Sequence, residues 1–70
     1  MLNDKEFFIR EFSESLEEMS PRKLKPGYSR KIVESLASTM NFNDSLVWHK
    51  SFRQRALDLI PLIKESCYTS

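Results

Sequence analysis

Apolar residues recur along most of this chain at the three- and four-residue intervals of an α-helix, and no segment alternates with period two for long. Phe8, Ile9, Phe12, Leu16 and Met19 fall within one arc of roughly 100° on a helical wheel, which predicts an amphipathic helix over residues 3–19. Asn3 stands where a cap is needed, and Glu6 three residues on completes a capping box. Leu2 and Phe7 take the two positions of a hydrophobic staple. Phe7 lies nearly opposite the apolar arc, so it either packs on Leu2 or faces solvent as an aromatic open to a partner.

Pro21, Pro26 and Gly27, the only glycine, predict a break over residues 20–27. A second helix follows over 28–40, with Tyr28, Ile32, Val33, Leu36, Ala37 and Met40 on one side. Asn41 to Asp44 reads as a tight turn, with Asn43 or Asp44 capping a third helix over 45–60. Trp48, Phe52, Ala56, Leu59 and Ile63 form the stripe of that helix. Pro61 either kinks it or ends it near Ile60, leaving a short last helix over 61–66. The pattern therefore predicts one all-α domain over residues 1–70, a small bundle of three to four helices.

Length adds a constraint. A chain of 70 residues buries only about 60% of its unfolded surface and is marginal without a staple. One cysteine excludes an intrachain disulfide, and Cys67 with the lone His49 falls short of a four-ligand zinc site. Tight packing, self-association or a partner is left to supply stability. No apolar run is long enough to span a membrane, and the acidic N-terminus is unlike a secretory or transit peptide. The lone cysteine suits a reducing compartment, and the expected location is cytoplasmic. The polar tail Cys67-Tyr68-Thr69-Ser70 is expected to fray.

Charge is uneven beneath a net of +1. Residues 1–19 carry six acids against two bases, residues 20–33 five bases and no acid, and the remainder four of each. The basic stretch either pairs with the acidic first helix or meets phosphate outside the fold.

Candidate chemistry is sparse. One glycine cannot build a phosphate-cradling loop, and one histidine eighteen residues from one cysteine makes an awkward nucleophile–base pair. No catalytic residue, metal ligand, cofactor or small-molecule substrate is assigned, and the chain is read as a non-enzyme. The leading expectation is an adaptor, inhibitor or regulatory subunit that binds a protein or its own copy. Trp48, Phe52, Leu46, Leu57, Arg53, Arg55 and Phe7 are the candidate contacts, because the third helix shows more apolar surface than one side of a bundle requires. The alternative is a DNA-binding regulator of helix-turn-helix type over residues 33–52. Arg22, Lys23, Lys25, Arg30, Lys31, Lys50, Arg53 and Arg55 would then meet phosphates and bases.

Overall fold

Asn3 opens the first helix as a cap: its side-chain oxygen accepts from the Lys5 N–H at 2.9 Å, which satisfies one of the free donors of the first turn. A computed structural model describes residues 3–69, and in it this helix, α1, runs Asp4–Met19. Leu2 lies outside the described residues, and the expected staple with it. The apolar arc is the buried face: Phe8, Ile9, Phe12 and Leu16 are fully or almost fully covered, and Met19 packs at the margin.

Residues 20–27 form an irregular connection with no helical turn. Its Leu24 is buried and belongs to the core. Gly27 then precedes α2 (Tyr28–Ala37) at φ 81°, a left-handed backbone that only glycine adopts cheaply. The helix expected to reach residue 40 stops at Ala37, and a turn carries the chain on to Met40. Val33 and Ala37 are buried, whereas Leu36, expected on the same inward stripe, is exposed.

The third helix departs most from expectation. Residues 45–60 are not one helix but a 3₁₀ turn, Ser45–Trp48, a break at 49–51, and α3, Phe52–Leu59. Two caps divide the segment. Asp44 accepts from the Leu46 N–H at 3.0 Å and Ser51 from the Gln54 N–H at 3.1 Å, each starting its own element. A side-chain oxygen at such a position offers the backbone an alternative to helical continuation and is worth about 1 kcal/mol. Trp48 and Phe52 therefore sit on separate elements. Pro61 ends α3: Ile60–Leu62 is a 3₁₀ turn with the proline near its start, and a second 3₁₀ turn spans Glu65–Cys67 in place of a last helix over 61–66.

The helix α1 is the central member and packs along both α2 and α3. The tail does not fray as expected. Tyr68 is buried and pairs antiparallel with Leu24, the Lys25 N–H donates to the Cys67 carbonyl at 2.9 Å, and the Thr69 N–H donates to the Lys23 carbonyl at 2.9 Å. Arg22 lies 4.5 Å from the Tyr68 ring centroid and is ion-paired with Glu65. Chain end and first connection thus close over the core together. Among the described residues the fold is all-α, with three helices and no strand.

Candidate functional site

Six aromatic side chains converge where α1 meets the 3₁₀ turn and the start of α3. Phe8 is the hub. Its ring centroid lies 5.1 Å from Phe42, 5.5 Å from Phe12, 5.6 Å from Phe52 and 6.1 Å from Trp48, all edge-on, an arrangement that places ring edges on ring faces. Phe7 joins them at 6.3 Å from Trp48 and 6.2 Å from Phe52. The Trp48 Nε1–H donates to the Phe42 carbonyl at 3.2 Å, so the indole is held at its polar end as well.

This cluster absorbs four of the seven residues expected to contact a partner. Phe7 and Phe52 are half-buried and packed on other rings. Arg55 lies 5.5 Å from the Phe8 centroid and donates from Nη2 to the Val47 carbonyl at 2.7 Å. Trp48 retains 39% exposure and is the member that faces solvent most openly. The remaining three, Leu46, Arg53 and Leu57, are exposed, Leu46 to 66%.

Two leucines that were not singled out as contacts complete the apolar surface. Leu36 on α2 and Leu62 after Pro61, the latter 76% exposed, line a shallow groove floored by Phe12 and Leu59. Its volume is about 230 Å³. Leu36 is left uncovered because α2 packs on α1 rather than on α3. Leu62 is left uncovered because Pro61 turns the chain out of the helix. Neither cause is visible in a helical wheel.

The groove also carries Arg55 and the pair Lys50–Asp58, joined at 3.1 Å. Asp58 accepts in addition from Gln54 Nε2 at 3.0 Å. The Lys50 hydrogen bond, helped by that of Gln54, holds the Asp58 carboxyl below the ordinary aspartate range. A carboxylate depressed on folding adds stability that is fully present above its unfolded value, near pH 4, and is lost as pH falls through the folded value. An Asp58→Asn chain should therefore melt below the wild type at neutral pH, and the gap should close in acid. Thermal melts between about pH 7 and pH 3 check this; a gap independent of pH would show that Asp58 draws nothing from Lys50.

The cations proposed for nucleic acid do not form one free face. Arg22 is engaged by Glu65, Arg30 by Glu6 at 3.0 Å and Glu34 at 3.7 Å, Lys50 by Asp58, and Arg55 by the Val47 carbonyl. Among the described residues, Lys23, Lys25, Lys31 and Arg53 have no ion pair. Lys25 and Lys31 flank the Tyr28 ring at 5.8 and 5.6 Å. Among the described residues, Arg30 alone of the basic stretch pairs with an acid of α1. The helix-turn-helix expected over 33–52 is not formed: fourteen residues separate α2 from α3, and His49 and Lys50 lie in the break instead of on a recognition helix.

No helix among the described residues is long and apolar enough to cross a membrane. No family model, curated protein or solved structure matches the chain.

Proposed function

We propose that the chain is a small non-enzymatic adaptor, inhibitor or regulatory subunit, cytoplasmic, that binds a protein partner or a second copy through its helix surfaces. One observation carries this reading. Five large apolar side chains, Leu36, Leu46, Trp48, Leu57 and Leu62, remain exposed on a chain of 70 residues. Scattered leucines are ordinary on protein surfaces. Here two of them border a groove, and a domain this small gains disproportionately from covering such surface. The engagement of Arg55 by the Val47 carbonyl and of Lys50 by Asp58 weighs against the nucleic-acid alternative, whose affinity would come mainly from phosphate contacts.

Capture on the immobilised chain from its native lysate, with and without nuclease and at about 50 and 200 mM salt, tests the reading. Sedimentation of the purified chain over a concentration series covers self-association. The expected result is a stoichiometric protein, or a dimer, that survives nuclease and the higher salt. Recovery of nucleic acid at low salt alone, with the proteins lost on nuclease treatment, would instead favour a DNA-binding regulator and overturn this reading.

A further inference from the structure

The segment after Pro61 is held by contacts that a second copy of the chain offers equally well. Cys67, Tyr68 and Thr69 lie antiparallel to Lys25, Leu24 and Lys23. The Lys25 N–H donates to the Cys67 carbonyl, and the Thr69 N–H and hydroxyl both donate to the Lys23 carbonyl. Tyr68 is buried opposite Leu24, and Arg22 covers its ring while pairing with Glu65. All of these partners belong to residues 22–25. The helices hold this strap far less: α1 packs on α2 and α3, and the Ile60–Leu62 turn on α3, whereas the Glu65–Cys67 turn packs to that extent on no helix.

The link between α3 and the strap straightens easily. Ile60–Leu62 is one 3₁₀ turn, closed by the Ile63 N–H on the Ile60 carbonyl at 3.1 Å, and Ile63 and Lys64 beyond it are already extended. Proline has nearly the same φ in such a turn and in extended polyproline backbone, so rotation about ψ suffices. Pro61 also bars α3 from running on into the strap as helix. Leu62, 76% exposed, stands in this hinge. Where two chains cross there, a second Leu62 lies beside it.

We propose that two copies exchange straps: residues 63–69 of each leave their own Leu24 and pair with residues 22–25 of the other. The hydrogen bonds, the ion pair and the burial of Tyr68 are remade unchanged, so exchange gives up no contact outside the hinge. Each copy gives and receives one strap, and the assembly closes as a two-fold dimer instead of growing. The crossing hinges add an apolar contact that the monomer lacks. The inference rests on the second-copy form of the reading above and names the residues that make it.

Lys25→Cys, at an exposed position, sets a thiol opposite the native Cys67 and tests the exchange. Equal amounts of heavy-isotope and ordinary chains of this variant are refolded together over a range of concentrations and oxidised. Peptides joined through residues 25 and 67 are then weighed, with sedimentation run alongside. Where sedimentation reports dimer, the joined peptides should be heavy–light as often as like–like; on dilution to monomer they should become like–like alone. Lys5→Cys, an exposed thiol with no strap opposite it, measures chance collision and should give few heavy–light links. Leu62→Glu should keep the melting temperature and weaken the dimer at least about tenfold, since like charges then meet at the hinge. A dimer whose links stay like–like would overturn the exchange and leave the self-association reading standing. Monomer at every concentration, heavy–light links as frequent from Lys5→Cys, or a Leu62→Glu dimer as tight as wild type would each overturn the proposal as well.

Discussion

Replacing Phe8 by alanine should remove a large part of the chain's folding stability and lower its melting temperature sharply. Phe8 is fully buried, and its ring stands edge-on to Phe12, Phe42, Trp48 and Phe52 at centroid distances of 5.1 to 6.1 Å. Truncating a buried phenylalanine removes its transfer free energy and leaves a cavity, together about 3–5 kcal/mol. At roughly 0.05–0.15 kcal/mol per residue, a chain of this length has about 4–10 kcal/mol in total, so the loss takes a large part of it. The helix signal in circular dichroism and the fluorescence of the only tryptophan, Trp48, should report the same transition. A melting temperature within a few degrees of wild type would mean that the aromatic cluster is not the centre of the core.

An aspartate at residue 56 should be nearly as damaging, and an aspartate at residue 57 harmless. Ala56 is fully buried where α3 lies against α1, while Leu57 points outward. Ala56→Asp has to bury a carboxylate with no partner or protonate it, which costs several kcal/mol either way. Leu57→Asp meets water and should move stability by no more than about 0.5 kcal/mol. Urea denaturation of the two variants compares adjacent residues of one helix, so composition is held nearly constant. Equal effects would place α3 in a different rotation from the one seen here. If Leu57→Asp is stable yet loses a partner that the wild type captures, the exposed face of α3 belongs to the interface.

The groove was only partly legible beforehand. Arg55 is a candidate contact by sequence, and Leu36 falls on an inward stripe that the tertiary arrangement leaves uncovered. Leu62 and Asp58 carried no signal of their own. Their roles follow from Pro61 ending α3 and from Lys50 lying in the break, and both depend on how the segment divides. The contacts that Phe7 makes were out of reach of the pattern for a related reason. A helical wheel describes one helix against one core, but α1 is flanked on two sides, so a residue opposite its main arc still finds Trp48 and Phe52.

What the sequence determined alone is the local part: an all-α chain, α1 with its Asn3 cap, the break at 20–27, the start of α2 after Gly27, and a cap at Asn43 or Asp44. Each of these depends on residues within one or two turns of each other, where periodicity, caps and proline act directly. The tertiary structure decided the division of residues 45–60, because Ser51 as a cap and the helical stripe as a continuation are both locally acceptable. Packing of Val47 and Trp48 against the rest of the molecule accompanies the capped solution. It also decided the fate of the tail. Thr69 and Lys23 are 46 residues apart in sequence and share two hydrogen bonds; only the folded chain brings such partners together, since the entropy of closing so long a loop is offset by burying Leu24 and Tyr68 at the same moment.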